Sequence, residues 1–366
     1  MKINITGIRG IPAQHGGFET FAESLSLYLH DKSWDVTVYC QTTGWGFCFN
    51  DKWNGIDRVN IPIPFSGPLS TILFDLLSVL HVCFFSRSLT LVLGYNTAIL
   101  SVFYRVFHIT SIMNMDGIEW QRSKWGPAVK IWFRLNEWLG CKLSNHLVAD
   151  HDEIKKHLIS RHGVLPISTI PYGAPAITEA SSSHLTKYNL KKNEYYIVIA
   201  RPEPENSIVE IVSGFVASGS NKKLVILGNY SPSINYQSRV LNAADNRVCF
   251  LGAIYDRAIV DALRYYCFAY IHGHTVGGTN PSLVEAMGAG CSIIVRENRF
   301  NRGVCDDSAL YFHDSQDLTS LINNIADDSV KALKSQSSAR FENGYTLESV
   351  NRNYMNLFSS ISNPST

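Results

Sequence analysis

The 366-residue sequence lacks the features that mark several large protein classes. Its 32 Lys and Arg residues almost balance its 31 Asp and Glu residues, so the basic excess of a dedicated nucleic-acid-binding protein is absent. The eight cysteines include no CxxC pair and no metal-ligand spacing. We therefore expect reduced, buried thiols in a cytosolic protein, without a disulfide framework or a zinc site. There is no GxGxxG fingerprint and no Gly-Lys-Ser/Thr phosphate loop, which argues against a dinucleotide-dependent oxidoreductase and against a Walker-type enzyme.

The sequence pattern also has no long uninterrupted apolar run, and we expect no signal peptide. The first residues lead directly into a strand pattern without a cleavage site. The most apolar segment, 71–85, is interrupted by Asp75 and His81, and we predict that it is too short and too polar to span a bilayer. We expect a cytoplasmic protein that can touch the inner face of the cell membrane without crossing it.

What the sequence does contain is a long alternation of short apolar runs and helical patterns, in two series. The predicted strands are 2–7, 35–40, 59–64, 89–93, 110–114, 145–149 and 168–171, then 195–200, 223–228, 248–252, 268–272, 292–295 and 309–312. The predicted helices include 18–29, 71–85, 206–217, 256–266, 281–289 and 316–325. This alternation predicts two Rossmann-like α/β domains with parallel sheets that face a central cleft.

The domain boundaries follow from composition and from the pattern near the C-terminus. Residues 172–183 are rich in Gly, Pro, Ala and Ser, which is typical of a linker. We predict an N-terminal domain at 1–174, a C-terminal domain at 175–342, and a helix within 343–366 that returns to the first domain.

The stretch His272–Gly290 reads as a strand end, a glycine-rich loop and a helix start. Asn280 suits the helix N-cap and Pro281 the first helical position. Thr279 and Ser282 flank this helix start, whose free N–H groups and dipole suit a phosphate. Glu285, one turn further, could accept hydrogen bonds from ribose hydroxyls. The alternative is an ordinary strand-to-helix turn with polar caps.

Two further loops are candidates for anion binding. Arg201 stands at the end of a predicted strand, where its guanidinium could clamp a diphosphate; the alternative is an ion pair with Glu203 or Glu205. The loop 7–17 ends in Gly16 and Gly17 before a helix, where backbone could approach an anion closely. A tight structural turn explains that loop equally well.

Candidate acid–base and metal-binding residues are few. Asp116 and Glu119 follow a predicted strand, and either could act as a base, although Asp-Gly is also common in turns. His15, His272 and His274 are further polar candidates. We interpret His272 and His274 as pointing to opposite faces of a strand end, and we predict that no metal is bound.

The segment Lys124–Lys142 mixes Trp125, Trp132 and Trp138 with several basic residues. Aromatic and basic residues together on one helix suit a membrane interface. A core helix with solvated charges is the alternative, because Lys and Arg stems often lie over apolar surface.

The sequence resembles glycosyltransferase family 4, whose members have the GT-B fold. The segments GIRGIPAQHGGFET, NMDGIEW and GHTVGGTNPSLVEAM resemble a bacterial subgroup of rhamnosyltransferases of capsule, O-antigen and exopolysaccharide synthesis. The resemblance implies that Glu285 contacts the donor ribose and that the loop Gly277–Asn280 runs along the sugar and the diphosphate. It also implies a nucleotide-diphospho-sugar as the donor substrate, with no other cofactor.

Two positions depart from the pattern of that family. Gly277 stands where a second glutamate is usual, eight positions before Glu285, and Asn206 stands where a lysine usually follows the arginine by five positions. Diphosphate neutralisation would then rest on Arg201 and backbone N–H groups. The nearest candidates for the sugar contact are His274, Thr279 and Asn280.

These observations lead to one hypothesis and two alternatives. We expect a membrane-associated, retaining hexosyltransferase that moves L-rhamnose from dTDP-L-rhamnose onto a lipid-linked saccharide. Asp116 and Arg201 are the expected catalytic residues. The expected donor-binding residues are Gly16, Gly17, Arg201, His274, Thr279, Asn280, Ser282 and Glu285. The alternatives are a nucleotide-sugar epimerase of the same fold and a non-catalytic nucleotide-sugar-binding protein.

Overall fold

The computed structural model describes residues 1–13, 16–122 and 124–362, and these divide into two compact units. The first unit contains Met1–Pro171 and the C-terminal residues from Leu347, and the second contains Tyr172–Thr346. The predicted boundaries at 174 and 342 differ from these by a few residues. The reason is that the N–H of Ala174 donates to the carbonyl of Tyr345, 3.0 Å away, so both segments belong to the second unit.

The first unit is built on an eight-stranded sheet in the order β3-β4-β2-β1-β5-β6-β7-β8. Its strands are β1 Lys2–Thr6, β2 Asp35–Thr43, β3 Phe49–Trp53, β4 Ile56–Ile63, β5 Leu89–Leu93, β6 Ser111–Asn114, β7 His146–Ala149 and β8 Ile167–Thr169. All neighbours are parallel except β3, which pairs antiparallel with β4 at the edge. The sequence did not predict β3, because its exposed, mostly polar residues lack the apolar run of a buried strand.

Helices cover both faces of this sheet. They are α1 Gly17–Asp31, α2 Pro68–His81, α3 Ser101–Val106, α4 Pro127–Leu143 and α5 Asp152–His162. Val38 and Cys40 of β2 pack in the cluster that contains α1, and Tyr39 packs in the cluster that contains α2, as the alternation of a strand requires. Helices α2, α3 and α4 are neighbours in this layer.

The second unit is an entirely parallel six-stranded sheet in the order β11-β10-β9-β12-β13-β14. Its strands are β9 Tyr195–Ile199, β10 Lys223–Leu227, β11 Val248–Gly252, β12 Ala269–His272, β13 Ile293–Arg296 and β14 Ala309–Phe312. Its helices are α6 Ser183–Thr186, α7 Ile208–Ala217, α8 Asn235–Ala243, α9 Arg257–Tyr265, α10 Pro281–Gly288, α11 Arg299–Cys305, α12 Ser315–Asn324 and α13 Asp327–Glu342. Each strand is a run of apolar residues because both faces of the sheet are buried.

The C-terminal helix, α14 Leu347–Ser362, packs against α1 in the first unit. The ring of Tyr354 lies 4.8 Å from that of Phe21, and its hydroxyl accepts a hydrogen bond of 2.8 Å from Asn114. Asn351 donates to the hydroxyl of Ser24 at 2.9 Å. The predicted return of the C-terminal helix to the first domain is therefore correct.

One helix within the described part of the chain is long and apolar enough to cross a membrane, by length and composition alone. It is Pro68–Ser86, which consists of α2 and a π-helical turn, with 19 residues and a mean hydropathy of 1.8. By length and composition this differs from the expectation for 71–85, because the helix starts three residues earlier, at Pro68, and continues to Ser86. Its inner face packs in the core through Phe74, Val79 and Cys83.

Candidate functional site

The order of the strands locates a candidate site in the second unit. The chain moves from β9 towards β11 on one side of the sheet and from β12 towards β14 on the other. The change of direction falls between β9 and β12, which are adjacent and parallel. In open α/β sheets ligands bind beyond the carboxyl ends of the strands at this switch point. The loops after β9 and β12, which hold Arg201 and the glycine-rich stretch, both leave from it.

These two loops lie in direct contact. A Cβ atom on Gly273 would overlap the carbonyl oxygen of Asn206, so only glycine lets the backbones approach this closely. His274 Nδ1 lies 2.7 Å from Asn206 Oδ1, and the N–H of Thr275 donates to the carbonyl of Glu205 at 2.9 Å. The side chain of Asn206 thus joins the two loops. This residue is one of the two departures from the family pattern described above.

The start of α10 is held over the end of β9. Asn280 caps the helix by accepting a hydrogen bond of 3.0 Å from the N–H of Ser282, as its position predicted. The hydroxyl of Ser282 donates to the carbonyl of Ile199 at 3.1 Å and lies 2.7 Å from the hydroxyl of Tyr270. Thr279 is buried beside them. Ser282 is therefore engaged in positioning the helix, a role the sequence did not indicate.

Glu285, on the second turn of α10, is not an isolated acceptor. Its Oε2 accepts a hydrogen bond from the guanidinium of Arg264 on α9. The Arg264 side chain is buried, whereas that of Glu285 is 41% exposed. Burial raises the pKa of Asp261, which lies 3.9 Å from the same guanidinium, although the charges of Arg257 and Arg264 oppose this. Sequence reasoning missed Arg264, because an arginine on an amphipathic helix gives no sign of burial.

Arg201 is exposed at the carboxyl end of β9. Within the described residues its guanidinium makes no ion pair, so the alternative of a bridge to Glu203 or Glu205 is not what the structure has. Its carbonyl accepts a hydrogen bond of 2.9 Å from Asn206 Nδ2, which fixes the backbone of the loop. The side chain is thus available to a ligand at the switch point.

The two histidines of this edge differ in environment. Their ring centroids are 6.1 Å apart, so the prediction that they point to opposite faces was wrong. Positions two apart along a strand share a face, and His272 is the last residue of β12. Burial, with a smaller contribution from His274, lowers the pKa of His272 to about 3. His15 lies outside the described residues. No group of three or more His, Cys, Asp or Glu side chains in the described ranges could hold a metal ion.

Asparagines after β13 support the same loop from the other side. Asn298 and Asn301 both donate to the carbonyl of His274, at 3.0 and 2.9 Å, and also to the carbonyl of Arg296. Asn298 additionally caps α11. The contacts of Asn298 and Asn301 with His274 could not be predicted from the sequence, because they join separate loops.

The first unit has its own switch point between β1 and β5. Gly7, which follows β1, has φ +83, and a Cβ there would lie 2.5 Å from the carbonyl oxygen of Leu93. Gly16 caps α1 without a side chain, but the carboxylate of Glu19 lies beside it, because a Cβ on Gly16 would be 3.2 Å from Glu19 Oε2. A carboxylate at this helix start competes with a bound anion at Gly16 and Gly17.

Asp116 follows β6 at the same edge of the first sheet and adopts φ +50. Its N–H donates to Asn114 Oδ1 at 2.9 Å. Burial, reinforced by the negative charge of Glu119, raises the pKa of Asp116 to about 6. Glu119 itself is buried and paired with Arg122 at 2.9 Å. Of the two carboxylates suggested by the sequence, Asp116 is therefore the one suited to accept a proton near neutral pH.

Comparisons with known proteins agree with this architecture. Residues 1–175 match the model of a domain of unknown function, DUF1972, and no curated protein matches the sequence. The whole chain is similar to the solved structure of sucrose-phosphate synthase from Thermosynechococcus elongatus, with a TM-score of 0.79, 14% identity and full coverage of both chains.

Two further structures show the same likeness. Anabaena Alr3699/HepE in complex with UDP and glucose has a TM-score of 0.75 at 15% identity, over 98% of this chain and 100% of that one. The α,α-trehalose 6-phosphate synthase from Burkholderia multivorans has a TM-score of 0.73 at 10% identity, over 100% and 97%. The likeness confirms the predicted fold class, GT-B. At these identities it defines the fold, and the activity has to be argued from the site.

Proposed function

We propose that the protein is a retaining glycosyltransferase that uses a nucleotide-diphospho-sugar donor. The observation that carries this proposal is the start of α10, which Ser282 holds over the end of β9, from which the exposed Arg201 follows. The positive dipole end of a helix start and one exposed guanidinium suit a diphosphate. The similarity to a protein solved with UDP and glucose supports the same ligand class.

The proposed reaction follows from this arrangement of charge. The acceptor hydroxyl oxygen forms a bond to the anomeric carbon while the bond from that carbon to the diphosphate oxygen breaks. The acceptor proton passes to the departing phosphate on the same face, which retains the configuration. Arg201 and the start of α10 act on the negative charge that develops on the diphosphate.

We assign two carboxylates to binding and orientation. The free oxygen of Glu285 accepts hydrogen bonds from the ribose, and Arg264 holds that carboxylate in place through its other oxygen. In the first unit, Asp116 orients the acceptor hydroxyl. His274, Thr279 and Asn280 contribute to the sugar pocket in place of the glutamate that Gly277 replaces.

We further propose dTDP-L-rhamnose as the donor and a lipid-linked saccharide of surface-polysaccharide synthesis as the acceptor. The sequence segments in both domains support this choice. A lipid-linked acceptor requires peripheral contact with the inner face of the cell membrane, and α4 supports such contact. Its outer side exposes Ile131, Leu135 and Trp138 next to Arg134 and Lys142, while Phe133 and Glu137 are buried.

The test is dTDP release from dTDP-rhamnose by the purified protein with a lipid-linked glucosyl acceptor, measured beside UDP-glucose as a second donor. Glu285→Gln keeps the size of the side chain and removes its charge. We expect kcat/KM to fall roughly 10- to 100-fold, mainly through a raised donor KM, because a charged hydrogen bond contributes about 1.5–3 kcal/mol. Glu194→Gln, in an exposed ion pair before β9, is the matched control.

The outcomes separate the alternatives. Wild-type donor affinity in Glu285→Gln removes Glu285 from the site. Conversion of the donor sugar without an acceptor indicates an epimerase, and donor binding without turnover of any donor and acceptor indicates a non-catalytic binding protein.

A further inference from the structure

The outer face of the helix Pro68–Ser86 is apolar along its whole length. Leu69, Ile72, Leu77 and Phe84 are exposed, and their spacing places them on one stripe. Leu69 is 71% exposed, and Phe85 at the end of the helix is 78% exposed. The outward side of a helix on a globular protein normally carries polar and charged residues. The sequence pattern does not reveal this exposure, because apolar residues on both sides of a helix are also typical of a core helix.

The apolar stripe continues beyond both ends of the helix. The turn between β2 and β3 exposes Trp45 and Phe47 almost completely, and Gly44 in that turn donates to the carbonyl of Ile63, just before the helix. At the other end the ring of Phe84 lies 5.1 Å from that of Phe107, which adjoins α3. We define the apolar face as the exposed residues Trp45, Phe47, Phe49, Phe65, Leu69, Ile72, Leu77, Phe84, Phe85, Val102 and Val106.

The exposed charges between Val59 and His151 are of one sign, whereas the carboxylates of Asp51 and Asp57, beyond Phe49, are paired with Arg58 and Lys52. Between Val59 and His151, Asp75, Glu119, Glu137 and Asp150 are buried and Asp116 is half-buried, so no acidic side chain of the described residues in this stretch is fully exposed. The exposed charged residues of the same stretch are Arg87, Arg105, Lys124, Arg134 and Lys142. Arg105 joins α3 to α4 by donating to the carbonyl of Ser144 at 3.1 Å. The helices α2, α3 and α4 therefore carry exposed apolar side chains, and the exposed charges in and between them are positive.

The packing of the inner face of this helix limits the orientations in which the helix can contact a membrane. Phe74, Val79 and Cys83 are packed in the core, and the buried carboxylate of Asp75 accepts a hydrogen bond of 2.7 Å from Thr97. A spanning orientation would expose this core and place a carboxyl group in the hydrocarbon. A helix that lies in the plane of the interface keeps the fold and needs only the outer face to be apolar.

We propose that the apolar face is a docking surface for an anionic lipid bilayer, with the helix Pro68–Ser86 lying in the headgroup region. Exposed tryptophan and phenylalanine suit that depth, and nearby basic residues strengthen binding to an anionic surface. A second copy of the chain on the same face is disfavoured, because a two-fold interface would bring the same basic residues together. This inference deepens the proposed function by identifying where the enzyme meets the lipid that carries its acceptor.

The experiment is co-sedimentation of the full chain with vesicles, without donor or acceptor. One set of vesicles contains phosphatidylcholine and phosphatidylglycerol, and the other contains phosphatidylcholine alone. We expect binding to the anionic vesicles that weakens at least tenfold in the neutral vesicles and at high salt. The double variant Leu69→Glu/Leu77→Glu should lose at least tenfold in affinity for anionic vesicles.

The matched control is Val164→Glu/Tyr255→Glu, which adds the same charges at positions 99% and 91% exposed but outside the apolar face. It should bind vesicles like the wild type, and circular dichroism should show that both variants are folded. Equal binding by the two variants overturns the proposal. A concentration-dependent dimer that Leu69→Glu/Leu77→Glu abolishes, in the absence of vesicle binding, also overturns it and identifies a second copy as the occupant.

The test is independent of the proposed function. Turnover of a short, water-soluble acceptor should be unchanged in Leu69→Glu/Leu77→Glu, since no residue of the site is altered. Vesicle binding without any turnover supports the docking surface and contradicts the proposed glycosyltransferase activity. Turnover without vesicle binding supports the activity and contradicts the docking surface.

Discussion

Asp116 illustrates how one backbone position combines geometry and charge. Its φ of +50 is uncommon for residues other than glycine, but Asp and Asn adopt it more readily than most. The same turn buries the carboxyl group and sets it near Glu119, and both effects favour the protonated form. The sequence identified the residue and its Asp-Gly turn, whereas the raised pKa depends on packing that brings Tyr95 over the turn, with its hydroxyl 3.0 Å from the N–H of Glu119.

Replacing Asp116 by Asn should change both activity and stability with pH. The folded pKa of about 6 lies above the reference value of 3.8, so between these values the folded state holds a proton that the unfolded state has lost. Ionisation of Asp116 therefore costs stability above about pH 6, and the cost vanishes below about pH 4. Asp116→Asn should be more stable than the wild type by on the order of 1 kcal/mol near pH 8, without gain near pH 3.5, in urea unfolding.

The same variant tests the role of Asp116 towards the acceptor. Wild-type kcat should fall as the pH drops below about 6, and Asp116→Asn should be roughly 100-fold slower with that pH dependence gone. Asp307→Asn, at an exposed site in the second unit, is the control and should behave as the wild type at every pH. An unchanged pH profile in Asp116→Asn would exclude the residue from the reaction.

Among the elements, the loops after β9 and β12 depend on each other for their conformation. Gly273 allows the backbones to touch, and Asn206 and His274 join the loops through side chains. The pattern of strand, glycines and helix start was readable from the sequence. The pairing of the two loops was not, because 68 residues separate Asn206 from His274.

Gly273→Ala should disturb the Arg201 loop as well as its own. The added methyl group meets the Asn206 carbonyl and Ile211, so the loops must separate, and we expect a loss of about 2–4 kcal/mol in unfolding free energy. Donor affinity, measured by calorimetry with dTDP-rhamnose, should fall at least tenfold. Gly219→Ala is the control, since a Cβ there has only ordinary contact with Asn323. Wild-type stability in Gly273→Ala would show that this close approach is not needed.

For the whole molecule, the two units should respond differently to loss of the C-terminal helix. α14 covers α1 with Val350, Tyr354 and Phe358, all buried in the core of the first unit, and Tyr354 satisfies Asn114. A chain ending at Thr346 exposes that cluster and leaves the Asn114 amide without its partner. The second unit retains every element of its sheet.

We therefore expect the truncated chain to show a separate, lower-temperature transition for the first unit in calorimetry, with the transition of the second unit unchanged. Limited proteolysis should then release a resistant fragment beginning near Tyr172. Tyr354→Phe removes only the hydrogen bond. It should lower the unfolding free energy of the first unit by about 1–3 kcal/mol and leave both units folded. A single transition at the wild-type temperature after truncation would show that α14 adds nothing to the first unit.

The sequence by itself determined the layout of this protein: two parallel α/β units, the strand Leu89–Leu93 with the bounds found, and the cap Asn280 at the start of α10. These features depend on residues close together in the chain, and local spacing and caps report them directly. Only the tertiary structure decided that Arg264 holds Glu285, that Ser282 ties α10 to β9, and that one side of the helix Pro68–Ser86 stays exposed. Those outcomes depend on which segments the sheets bring together, and apolar or charged residues carry no sign of their partners until the chain is packed.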